Sequence, residues 1–110
     1  FVPGQYITIK HEINGEEIRR AYSICSAPSE GLSIGVKRVE GGKMSTFLVN
    51  RLNIGDTLEV MPPSGNFIYN EAKKHVVAIC AGSGITPIFS IIKSANAKLP
   101  VNAGEIAFRT

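Results

Sequence analysis

Apolar and polar residues alternate with a period of two over most of the first 70 positions, which predicts short strands with one buried face. Gln5–Glu12 alternates through Tyr6, Ile7, Thr8, Ile9 and Lys10 and is rich in β-formers. Asn14-Gly15 is a tight hairpin signal, and Ile18–Cys25 resumes the strand. Pro28–Gly31 reads as a turn. Leu32–Val39 alternates again and is broken by Gly41-Gly42. The period then shifts: Phe47, Leu48 and Leu52 make one apolar face of a short helix over Met44–Arg51, with Ser45 as its candidate N-cap. Asn53–Asp56 is a turn, Thr57–Met61 a further strand, and Pro62-Pro63-Ser64-Gly65 closes it. Many short strands at this spacing with one short helix predict a small all-β antiparallel barrel.

The pattern changes near Asn70. Glu71–Lys74 is a polar junction, and His75–Cys80 is apolar at nearly every position, as a buried parallel strand is. Ala81-Gly82-Ser83-Gly84 follows, and Thr86-Pro87 opens a helix whose apolar face runs through Ile88, Phe89, Ile91, Ile92 and Ala95 to about Ala97. Leu99–Gly104 is a loop and Glu105–Thr110 a candidate second strand. The expected organisation is a barrel over 1–70 followed by the opening βαβ unit of an α/β nucleotide-binding domain over 71–110.

Composition narrows the function. The 110 residues are 44% hydrophobic and 19% charged, as in a folded domain. No apolar run approaches the roughly 20 residues of a membrane span. Twelve basic against nine acidic residues leave a formal charge of +3, scattered rather than blocked. That argues against nucleic acid as a partner and suits a small anionic ligand. Cys25 and Cys80 form neither a C-x-x-C pair nor a disulfide framework, so they read as reduced, buried thiols of a cytoplasmic protein. The chain opens and closes as if within strands, which reads as a portion of a longer protein.

Three segments carry candidate chemistry. Cys80-Ala-Gly82-Ser-Gly84-Ile-Thr86-Pro87 joins a strand to a helix through a glycine turn, where unpaired amides and the helix dipole suit a phosphate. It departs from G-x-G-x-x-G by carrying Pro87 at the third glycine, and a plain tight turn would look the same. In Arg20-Ala-Tyr22-Ser23-Ile24, alternation puts Arg20 and Tyr22 on one face, offering a phosphate fork and an aromatic plate to one ligand. An ordinary strand with a rim tyrosine is the plain alternative. Gly41-Gly42-Lys43-Met44-Ser45 sets a second glycine turn against a helix start. It is either another anion site or a helix whose Ser45 serves only its own backbone.

These three segments in this order, with Pro63-Ser-Gly65-Asn-Phe67 between them, resemble the ferredoxin–NADP reductase superfamily. Arg20-x-Tyr22-Ser23 resembles its flavin motif, Gly42-x-x-Ser45 its flavin pyrophosphate segment, and Gly82-Ser-Gly84-Ile-Thr-Pro87 its nicotinamide dinucleotide turn. Tyr22–Ser26 and Lys37–Gly42 are closest to the reductase components of bacterial phenylacetyl-CoA oxygenase-type systems that hydroxylate or epoxidise rings.

The resemblance implies an incomplete Greek-key flavin barrel followed by the start of an NAD(P)-binding domain. It implies FAD, in preference to FMN, and NADH or NADPH as cofactors. Hydride passes to the flavin and electrons leave singly to an iron–sulfur or oxygenase partner. It places Arg20 on a flavin phosphate with help from Lys43, Met44 and Ser45, Tyr22 against the ring, and Ser23 near the reactive nitrogen as the catalytic contact. Gly82, Gly84, Thr86 and Pro87 fall on the nicotinamide side. Ser23 faces away from Arg20 and Tyr22 if the strand is regular. No C-x4-C-x2-C run is present, so a 2Fe–2S cluster is implied only in a parent segment outside this chain. On this reading the 110 residues alone do not turn over NAD(P)H efficiently. A non-redox barrel module binding an anion or a protein partner stays open, as does a regulatory electron-transfer subunit of a larger complex.

Overall fold

The computed structural model describes residues 1–69, 72 and 75–98. Strand β1 (Tyr6–Ile13) and strand β2 (Glu16–Ser23) form an antiparallel hairpin. Asn14 and Gly15 turn it with φ of 52° and 78°, the paired positive angles that an Asn-Gly hairpin supplies. Helix α1 spans Lys43–Asn50, strand β3 is Glu59–Val60, and helix α2 spans Ile85–Lys98. β1 lies in the middle of a three-stranded sheet of order β2-β1-β3.

The hairpin register explains the core. Ile7 faces Tyr22 and Ile9 faces Arg20 across the ladder. Ile7, Ile9, Ile18 and Ile24 therefore share one face of the sheet. α1 covers that face with Met44, and these five side chains are buried together. Phe47 stacks on His11 with ring centroids 4.1 Å apart. On the other face Lys10 bridges Glu17 at 2.9 Å and Glu59 at 3.4 Å, exposed pairs that add little stability.

α2 is docked by polar contacts as well as apolar ones. The fully buried Ser90 donates its hydroxyl to the Ser26 carbonyl at 2.6 Å. The Ser26 hydroxyl in turn bonds Gly31 and Ser33 at 2.8 Å each, closing the loop beneath the helix. Lys93 pairs with Glu30 at 3.2 Å. Gly4, at φ 101°, passes so close to the Phe67 carbonyl that a Cβ would lie 1.7 Å from its oxygen, so only glycine fits there.

The expected closed barrel is not what forms. Among the described residues the sheet is open and three-stranded, and with two α-helices the fold is a small mixed α/β domain rather than an all-β Greek-key barrel. Closure requires every strand to have two neighbours, and alternation reports only which way side chains face. Leu32–Val39, expected as a strand, meets the sheet through the single Ile24–Ile34 bridge. Thr57–Met61 contributes two ladder residues, although Met61 and Ser64 add further backbone bonds to β1. His75–Cys80, expected as a buried parallel strand, joins no ladder among the described residues, and Val77 and Ile79 are 88% and 92% exposed. Its expected partner, Glu105–Thr110, and the loop 99–104 lie outside the described residues, as does most of the polar junction 71–74. The two cysteines are half-buried rather than buried.

Ile9 is 1% exposed at the centre of the sheet. Ile9→Ala should lower unfolding free energy by about 2–5 kcal/mol, and Ile9→Val by about 1 kcal/mol, measured by urea denaturation. The Ala27 amide and Lys93 hold the Glu30 carboxyl below the usual carboxylate range. Its stabilising contribution is present above the ordinary carboxylate pKa and is lost as pH falls through the lowered value. Amide protection factors in α2, taken relative to the intrinsic exchange rate at each pH, should therefore fall in acid, and Glu30→Gln should remove part of that acid dependence.

Candidate functional site

β2 and the first turn of α1 enclose an open groove of about 510 Å³. The strand wall follows from alternation. Glu16, Ile18, Arg20 and Tyr22 share a face, with Ile18 rooted in the core and the other three bordering the groove. The helix wall is Gly42, Lys43, Met44 and Ser45, and Lys37, Val39 and Gly41 of the preceding segment also line the groove. Met44 points into the core and thereby fixes the helix start against the strand.

The structure places the helix start differently from the expectation. Gly42 is the N-cap, with extended φ and ψ, and Ser45 lies three residues into the helix. The Ser45 hydroxyl accepts the Val39 amide at 3.0 Å, and the Gly42 amide donates to the Val39 carbonyl at 2.9 Å. Any Cβ at position 42 would lie 2.6 Å from Ser45 Oγ, so glycine is required for this tight approach. The side chain of Ser45 thus serves the turn. The amides of Lys43, Met44 and Ser45 have no carbonyl four residues back within the helix, and these three residues line the groove at the positive end of the dipole.

Cations dominate the lining. Arg20, Lys37 and Lys43 stand against Glu16, while the charges of Arg19 and Glu17 pair on the other face of the strand. Lys43 Nζ lies 2.6 Å from Glu16 Oε2, and Arg19 Nη2 lies 3.3 Å from Glu17 Oε1. Arg20 donates to the Arg19 carbonyl at 2.7 Å. Neither Arg20 nor Lys37 has an ion-pair partner among the described residues. The hydrogen bond and charge of Lys43, joined by Arg20, hold the Glu16 carboxyl below its ordinary range. Partial burial pushes the Tyr22 hydroxyl up, against the opposing pull of Arg20.

Of the residues singled out from the sequence, Arg20, Tyr22, Lys43, Met44 and Ser45 converge on this groove. Ser23 does not line it. It pairs with Tyr6 at the end of a regular strand and turns to the other face, as alternation required. Gly82, Gly84, Thr86 and Pro87 lie apart from the groove lining, at the other helix start. Gly82–Gly84 forms a 3-10 turn, with Gly82 at φ 58°, and α2 begins at Ile85 with Thr86 and Pro87 in its first turn. Thr86 packs close to Gly35. Glu16 and Lys37 were missed. Nothing local marks Glu16, which meets Lys43 only through the fold, whereas Lys37 shares the alternation of its segment. Among the described residues no group of three His, Cys, Asp or Glu side chains could hold a metal ion, and no helix is long and apolar enough to cross a membrane.

The arrangement joins an arginine, an aromatic ring and a helix N-terminus in one groove, a donor set suited to a ligand with both phosphate and a flat ring. The family model described as the oxidoreductase FAD-binding domain matches residues 1–69. The chain belongs to that family. This FAD-binding-family chain is 47% identical over 96 residues to one component of the 1,2-phenylacetyl-CoA epoxidase of Escherichia coli, covering 84% of this chain and 27% of that protein. It is 45% identical over 97 residues to a Pseudomonas aeruginosa flavohemoprotein, covering 86% and 24%. The chain thus spans about a quarter of the length of the curated relatives it matches. The FAD/NAD-binding domain of a Vibrio cholerae nitric oxide dioxygenase superposes with a TM-score of 0.76 at 34% identity, over 89% of this chain and 44% of that one. The resemblance to ferredoxin reductases, and within them to the phenylacetyl-CoA oxygenase group, is therefore borne out.

Removing the Ser45 hydroxyl should loosen the Val39–Ser45 turn. Ser45→Ala is expected to lower stability by about 1 kcal/mol in urea denaturation, with faster amide exchange at Val39.

Proposed function

We propose that this chain contributes the FAD site of an NAD(P)H-dependent flavin reductase that supplies electrons to an oxygenase-type or iron–sulfur partner. The observation that carries the reading is the convergence of Arg20, Tyr22 and the amides of Lys43–Ser45 on one cationic groove, in a chain of the oxidoreductase FAD-binding family. The names of its relatives, an epoxidase component, flavohemoproteins and a steroid monooxygenase reductase component, favour electron delivery to an oxygen-using centre.

In this reading residues 1–70 hold the flavin and residues 71–110 begin the nicotinamide-binding unit. FAD would accept hydride from NAD(P)H and release electrons one at a time; that chemistry belongs to the cofactor. The chain's own residues bind and orient. Arg20 provides a bidentate fork for a phosphate, and the first-turn amides of α1 provide further donors without any side-chain ordering. Tyr22, anchored beside Ile7, presents its ring to the flavin. Ser23 reaches the flavin only through its backbone or a local bend, since its hydroxyl lies on the other face. Gly82, Gly84, Thr86 and Pro87 form the nicotinamide dinucleotide end, where α2 offers a second helix N-terminus. A cytoplasmic location suits such a reductase.

Quenching of flavin fluorescence on titration with this chain tests the reading. Arg20→Ala should weaken FAD binding about ten- to a hundredfold, as loss of a charge-assisted hydrogen bond does, and Tyr22→Ala should weaken it and alter the bound flavin's visible spectrum. Binding unaffected by either change would shift the reading to an anion- or protein-binding module without redox function.

A further inference from the structure

The groove contains an anion of its own. Glu16, the first residue of β2, shares a face with Arg20 and reaches across to α1, where its carboxylate takes the Lys43 ammonium at 2.6 Å. Glu17 similarly engages Arg19 and Lys10. Arg20, Lys37 and Lys43 bring their charge to the groove; Lys43 is paired with Glu16, whereas Arg20 and Lys37 have no ion-pair partner within 4 Å among the described residues. Lys43 is also the first residue of α1, so the side chain held by Glu16 grows from the same helix turn whose amides the proposed function assigns to phosphate.

We propose that Glu16 sequesters the Lys43 ammonium from the phosphate of the bound flavin and so sets the groove's affinity for that ligand. The inference rests on the FAD reading above and deepens it. Two physical effects have opposite signs here. A carboxylate can hold a lysine in position, which would help a ligand. It can also neutralise the lysine and repel an incoming anion. Both side chains are more than half exposed, at 54% and 63%, so the pair restrains Lys43 only weakly. A phosphate near the groove, by contrast, meets a fully ionised carboxylate at close range. The carboxylate offsets the lysine's charge and repels an incoming anion whether or not the pair is held rigidly, so neutralisation outweighs positioning.

A double-mutant cycle on this chain separates the two effects. FAD binding would be followed by fluorescence quenching, and inorganic pyrophosphate binding by calorimetry, for the parent chain, Glu16→Gln, Lys43→Gln and the double variant. Glu16→Gln should tighten both ligands about threefold to tenfold at low salt, with the gain shrinking in high salt. Lys43→Gln should weaken binding less than about threefold when Glu16 is present and about tenfold when it is Gln, because only the released lysine contacts phosphate. Glu16→Asp, whose shorter side chain grips Lys43 less well, should fall between parent and Gln. Weaker binding in Glu16→Gln, or an equal or smaller effect of Lys43→Gln in that background, would overturn the inference while leaving the flavin reading intact. A parent chain that binds neither ligand would overturn the flavin reading and this inference with it. Both positions are exposed and outside the core, and circular dichroism of each variant confirms that folding is unchanged.

Discussion

The β1–β2 ladder governs everything else in this molecule. Its register sets Ile7 opposite Tyr22 and Ile9 opposite Arg20, so one sheet face carries both the buried isoleucines and the two groove residues. A slip of one residue would turn all of them to the opposite face at once. The Asn14-Gly15 turn, with both φ angles positive, holds that register from the end of the hairpin. α1 then has one stable seat, with Met44 against the isoleucines, and its first turn is brought to Arg20 as a consequence.

The groove follows from helix geometry as much as from strand geometry. Consecutive residues at the start of α1 point in different directions, so Lys43 faces the groove while Met44 plugs the core. Gly42 allows the chain to enter the helix in contact with Ser45, whose hydroxyl closes the turn by accepting the Val39 amide. The amides that remain unbonded are those of the first turn, and they cost no side-chain entropy to present. A site assembled from backbone donors and one arginine needs few dedicated side chains, which fits its location in a small domain.

Much of this was readable along the chain. The hairpin, α1 and α2 each have a strong local period and a clear turn or start signal, and each appears within a residue or two of its expected bounds. Arg20 and Tyr22 were legible as neighbours because two-residue spacing on a strand is a geometric statement. Sheet closure was not legible, because the pairing of Leu32–Val39 depends on what lies beside it, and alternation says nothing of that. Val77 and Ile79 show the same limit: an apolar run predicts burial only where a partner surface exists. The Glu16–Lys43 pair joins residues 27 positions apart and has no local signature at all. Ser45 was found for its residue type but given the wrong place in the helix, since Gly42 can cap with its backbone alone.

The adjacency of Lys43 and Met44 bears on how such a domain can diversify. One residue belongs to the ligand and the next to the hydrophobic interior, separated by a single peptide unit. Charge at position 43, and at its counterpart 16, is free to drift or be redesigned with little penalty to folding, so descendants of this scaffold could be retuned to different anions by exchanging exposed side chains. Position 44 has no such latitude: a change of volume there would tilt the helix start and displace the backbone donors together. Adaptation should therefore accumulate at position 43, a single variable site flanked by Gly42, Met44 and Ser45, which the turn and the core hold fixed.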